Sequence, residues 1–287
     1  MQKALLFISF LFSSAISQAQ WLNYRATGTP TTNDGKVNLA APAPRMADGK
    51  PDLSGVWHHQ NENNGNRQEG LTTSSAPGEP VRLAGQPGGP GYTGNILRDA
   101  KGEKIETPLA IKVREARMKD GNRPNPSVFC LPWGIPVNNL VPEVTKFIQA
   151  PKELIALYEV ENSYRQIYLD GRPLPEDMNP SWLGYSTGHW DGDTLVVETE
   201  GFNDRTWLDM SGHSHGEKLH LTERYHRRDY GHMDVEMTFN DPEFYTKPFS
   251  IKFTHALTPD SDILEAYCNE NEKDRAHIQG IHEIPAH

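Results

Sequence analysis

The densest run of chemistry-bearing side chains is Ser211-Gly212-His213-Ser214-His215-Gly216-Glu217-Lys218-Leu219-His220, continuing into Glu223-Arg224-Tyr225-His226. Side chains alternate between faces of an extended backbone, so His213 and His215 project to one side and could share a divalent metal. Against this, Glu217 follows closely and no further histidine motif completes the ligand set, which leaves a solvated histidine-rich loop as the competing reading. Glu223, His255 and Arg165 stand out for a different reason. Alternation puts Glu223 on a face with Leu219, Leu221 and Tyr225, His255 with Phe249, Ile251, Phe253 and Leu257, and Arg165 with Ile167 and Leu169. A carboxylate, an imidazole and a guanidinium among apolar neighbours are costly to desolvate unless they pair or titrate. As a site, Glu223 is the general acid or base, His255 or His215 its partner, and Arg165 the electrostatic stabiliser. As structure, the same residues form a satisfied buried network, and the sequence leaves both open.

Other chemistries lack their motifs. There is no Gly-x-Ser-x-Gly elbow, no GxGxxG and no GxxxxGK[ST], and Cys130 and Cys268 are too few for a thiolate metal centre or a CxxC couple. No cofactor is expected beyond the possible divalent metal. Trp190, Trp207, Tyr164, Tyr168 and Tyr185 could line a small-molecule cavity or simply fill a core.

The elements that must position these residues follow from periodicity. From Lys146 onward, short period-two segments alternate with turn chemistry, predicting strands at 146–149, 153–160, 163–169, 183–190, 193–199, 218–228, 232–239, 249–257 and 263–268, with Asp191-Gly192 as a two-residue hairpin turn. Asp52 to Trp57 reads as a further short strand. An antiparallel meander of this length closes into a barrel, because closure removes unpaired edges. Thr107-Pro108 starts a helix with Leu109, Val113 and Ala116 on one face, ended by Asp120-Gly121. The fold class is mainly β, a single barrel domain over 51–287 with a long irregular insertion at about 59–145, ordered or not, and a polar proline-rich arm over 20–50.

Residues 1–19 carry Lys3, an apolar stretch and small residues at Ser17 and Ala19, the pattern of a cleavable secretory signal. The apolar stretch is shorter than the roughly 20 residues that span a bilayer. Removing the leader takes away Lys3 and leaves 27 basic against 38 acidic residues, a net charge of −11, which argues against nucleic acid and anionic membranes as partners. A periplasmic or secreted location favours a bridge between Cys130 and Cys268, with two buried thiols as the alternative.

Several segments resemble an uncharacterised secreted bacterial protein family: Asp48 to Trp57, Cys130 to Pro136, Tyr164 to Ile167 with Asp170-Gly171-Arg172, Gly188 to Val197, Gly201 to Asp204, His215 to Arg224, Asp241-Pro242, and Cys268 to Asn271. That resemblance implies no established activity. Gly55-Val56-Trp57 resembles the Gly-x-Trp of the first strand in lipocalin-like barrels, which implies a barrel with a ligand cavity, although the insertion before Lys146 departs from that plan. The pattern of the HxH pair invites comparison with cupins, from which the early Glu217 departs. The first functional reading is an exported small-molecule-binding barrel acting as an acid–base enzyme in elimination, hydration, isomerisation or hydrolysis of a small organic or sugar-like substrate. The alternatives are a non-catalytic carrier of an apolar ligand and a structural envelope protein.

Overall fold

A computed structural model describes residues 25–60, 91–100, 102–119 and 125–268. The leader-like segment, most of the Gly- and Asn-rich part of the insertion, and the Asp120-Gly121 stop lie outside the described residues. Nine strands form a closed barrel in sequence order: β1 (Gly55–Gln60), β2 (Thr145–Ala150), β3 (Glu153–Tyr158), β4 (Ser163–Tyr168), β5 (Tyr185–Asp191), β6 (Thr194–Glu200), β7 (His220–Arg227), β8 (His232–Asn240) and β9 (Phe249–Leu257). The barrel closes where β1 pairs antiparallel with β9, from Trp57 opposite Leu257 to Gln60 opposite Thr254. The described residues include no helix long and apolar enough to cross a membrane.

Alternation builds the interior. Leu221, Glu223, Tyr225 and Arg227 of β7 and Met233, Val235, Met237 and Phe239 of β8 are all buried, while their sequence neighbours face outward. Trp57, Phe147, Leu154, Tyr158, Ile167 and Leu195 fill the same core. The barrel interior is therefore largely occupied by its own side chains, as in small barrels generally.

Three expectations change. β4 and β5 pair in parallel, and only through Ile167 with Ser186 and Tyr168 with Thr187. The connection over 169–184 is long enough to return the chain to the same end, which a hairpin could not do. The hairpin turn of β5 and β6 has Gly192 and Asp193 as its loop residues, with Asp191 already paired to Thr194 and Gly192 at φ 61°. Residues 263–268 form no strand. Their backbone is held by side chains instead, Glu159 accepting from Leu264 N–H and Asn162 exchanging two hydrogen bonds with Ala266. With β1 already closing the barrel, no edge remains for a tenth strand.

The insertion lies at the barrel end formed by the start of β7 and the end of β8. There α1 (Pro108–Lys119) is capped by Thr107, whose hydroxyl accepts from Ala110 N–H and donates to Glu243 O. The buried positions of α1 are Ala110 and Arg117, while Leu109 and Ala116 are exposed. The inward stripe is rotated because Arg117 is taken in by Ser214 Oγ at 3.0 Å and by the Trp207 ring at 5.0 Å. A short α2 (Val137–Leu140) sits on the same end. The arm runs along the opposite end, where Arg45 grips Asp193 and Ala41 and Leu39 accept backbone hydrogen bonds from Tyr230 and Gly231. Cys130 and Cys268 are bridged, with Cα atoms 5.5 Å apart.

Candidate functional site

Glu223 and Arg165 meet inside the barrel, both almost fully buried. One carboxylate oxygen accepts from Arg165 Nη1 at 3.1 Å and from the Tyr225 hydroxyl at 2.7 Å, and the other accepts from Arg165 Nη2. The guanidinium also donates to Ser186 Oγ at 2.9 Å and Thr199 Oγ1 at 2.6 Å. Arg165 thus ties β4 to β5, β6 and β7 at the place where β4 and β5 share only two residue pairs. Burial alone would lower the Arg165 pKa, but the Glu223 charge more than reverses this and holds it above its ordinary value. Burial pushes the neighbouring Tyr158 hydroxyl up to about 12.

His255 lies farther along the interior and does not touch Glu223. Its Nε2–H donates to the Asn139 carbonyl at 2.9 Å, and Asn139 Nδ2 reaches the Tyr225 hydroxyl at 3.4 Å, so a hydrogen-bonded chain links the two. Burial lowers the His255 pKa to about 4. His215 is equally enclosed. Its Nδ1–H donates to Gly216 O at 3.1 Å, the Thr206 hydroxyl lies 2.6 Å from Nε2, and burial holds the ring near 4. Both nitrogens of His215 are therefore committed to protein partners.

His213 has a different setting. Its Nδ1–H donates to Asp209 Oδ2 at 2.6 Å. Asp209 is itself fully buried and accepts from the backbone N–H groups of Ile96, Ser211 and His213 at 2.7, 2.8 and 3.2 Å. Nε2, on the side of the ring away from Asp209, lies 4.0 Å from Glu106 Oε1. Arg114 fixes Glu106 by a two-pronged contact of 2.8 and 3.1 Å. His213, Glu106 and Arg114 line a cleft of about 530 Å³ whose walls include Asn95, Leu97, Ile105 and Ile111, with Asp209 buried behind His213.

His213 and His215 are thus held by different partners. Among the described residues no group of three or more His, Cys, Asp or Glu is arranged to hold a metal. Arg165, Glu223, His215 and His255 do not line this cleft, nor the smaller one beside it at Leu97, Glu103 and Phe249. The five aromatic residues do not line either cleft: Tyr164 is 64 % exposed, Tyr168 and Tyr185 stack on each other outside at 5.2 Å, Trp190 packs half-buried against the core, and Trp207 is buried under Arg117. Sequence reasoning missed Asp209, Glu106 and Arg114. Asp209 carries a usable signal, since an acid followed by Met210-Ser211-Gly212-His213 marks a turn whose backbone amides fold back onto the carboxylate. Glu106 carries none, because its approach to His213 depends on how the insertion docks. No family model matches the chain, and neither do any curated protein or solved structure.

Proposed function

We propose that the protein is an exported small-molecule enzyme of the acid–base type, working in the cleft at the end of the barrel with His213 as the proton-transfer group. The observation that carries this is the Asp209–His213 pair, a buried carboxylate orienting an imidazole whose other nitrogen borders a cleft. Asp209 fixes the tautomer and stabilises the imidazolium formed when His213 accepts a proton. The 4.0 Å from Nε2 to Glu106 is too long for a hydrogen bond, yet a substrate hydroxyl or a water seated between them is within reach of both. Elimination, hydration, isomerisation and hydrolysis of a small polar organic molecule all require such a transfer. Export is supported by the leader-like residues 1–19 and by the Cys130–Cys268 bridge, and the acidic charge favours a small-molecule partner over nucleic acid.

The test is a screen of the mature protein against chromogenic glycosides and esters and against small hydroxy acids, repeated on His213→Gln and Asp209→Asn. General acid–base catalysis contributes roughly 10²- to 10⁴-fold. A loss of that size in His213→Gln at an unchanged melting temperature supports the reading, and full activity in that variant removes it. Saturable binding in the cleft without turnover supports a carrier instead.

A further inference from the structure

One row of residues across the inner wall is not used by this mechanism. His59 on β1 stands directly opposite His255 on β9, and His255 stands directly opposite Met233 on β8. Residues so opposed have Cβ atoms about 4.5 to 5.5 Å apart, and the inward curvature of a barrel brings the tips of their side chains closer still. The Phe253 ring packs beside both imidazoles, at 5.4 Å from His59 and 5.1 Å from His255, which places them in the same apolar surroundings. Nδ1 of His59 and Nδ1 of His255 are both buried atoms without a hydrogen-bond partner. A buried polar atom left unpaired in a native interior calls for a guest.

The chemistry of the row says which guest. His255 donates its Nε2–H to a backbone carbonyl, so its Nδ1 carries a lone pair, and this is how ligating histidines are ordinarily oriented. The third donor is a thioether. No anionic ligand is present in the row, and a neutral donor set in an apolar interior compensates no charge, which favours a monocation over a dication. Imidazole with thioether is a soft combination that selects copper(I) among biological metals. Arg227 opposes Met233 but spends its guanidinium on the carbonyls of Asp52, Ser54 and Tyr230. His59 is half-buried.

From this arrangement we infer that His59, His255 and Met233 form a copper(I) site within the barrel, separate from the His213 cleft. The test is an anaerobic titration of the mature, disulfide-intact chain with copper(I), supplied as its acetonitrile complex so that no thiol reductant touches the Cys130–Cys268 bridge. Bicinchoninate serves as the competing chelator. The wild type is expected to hold one copper(I) against it, with nitrogen and sulfur scatterers in the X-ray absorption fine structure. His59→Ala and His255→Ala should each weaken binding at least about tenfold, and Met233→Leu should remove the sulfur scatterer. If His255→Ala does not fold, the half-buried His59 and the near-isosteric Met233→Leu carry the test. Copper(I) bound with unchanged affinity in folded His59→Ala, or a spectrum without sulfur in the wild type, overturns the assignment, as does failure of the wild type to compete with the chelator.

Discussion

Replacing Glu223 by Gln keeps the shape of the buried side chain and removes its charge, which separates the two roles open to it. The carboxylate accepts from Arg165 through both oxygens and from Tyr225 through one. Whichever way the amide of Gln is turned, its NH₂ faces an Arg165 donor, so at least one charge-assisted hydrogen bond of about 1.5–3 kcal/mol is lost. The guanidinium is then left buried without a counter-charge, and breaking such pairs from one side costs about 3–5 kcal/mol in total. For a chain of this size each kcal/mol lowers the melting temperature by about 2–4 °C, so the expected drop is about 6–20 °C. Urea and thermal unfolding of Glu223→Gln measure it directly. The double variant Glu223→Met with Arg165→Met should fall less than Glu223→Gln alone, because no charge is then stranded. A change below about 0.5 kcal/mol in Glu223→Gln, with turnover lost, would refute the structural role and return Glu223 to the chemistry.

Two further outcomes concern the buried histidines and the disulfide bridge. His215 and His255 have folded values near 4 against 6.5 for the free group, so the unfolded chain binds protons more readily, and stability is complete above pH 6.5 and is lost as pH falls toward 4. The loss is on the order of 3 kcal/mol for each, and equilibrium unfolding followed between pH 7 and 4 should show it, with the pH slope reduced in His215→Gln. The Cys130–Cys268 bridge closes a sequence separation of 138 residues, for which chain entropy gives up to about 5 kcal/mol. Cys130→Ser with Cys268→Ser should therefore lower the urea midpoint at constant activity, and an unchanged midpoint would mean that the unfolded chain gains no freedom without the bridge.

Much of the barrel is legible in the sequence because alternation is a local property. Met233, Val235, Met237 and Phe239 point inward wherever β8 lies, and the same count places Glu223, His255 and Arg165 inside without knowledge of any neighbour. The Cys130–Cys268 bridge is likewise legible in the cysteine count and the leader-like residues 1–19. Tertiary structure alone decided the partners. Which of β1 and residues 263–268 closes the barrel depends on competition between strands far apart in the chain, and β1 takes the edge while Glu159 and Asn162 hold the other segment. That Glu223 meets Arg165 and not His255 is a matter of strand stagger, which alternation does not specify. The clearest case is His213. In the sequence it is one half of an HxH pair, but folding turns it onto Asp209 and brings Glu106 to its other side, because the backbone amides of the turn collect on the Asp209 carboxylate and the insertion docks over it.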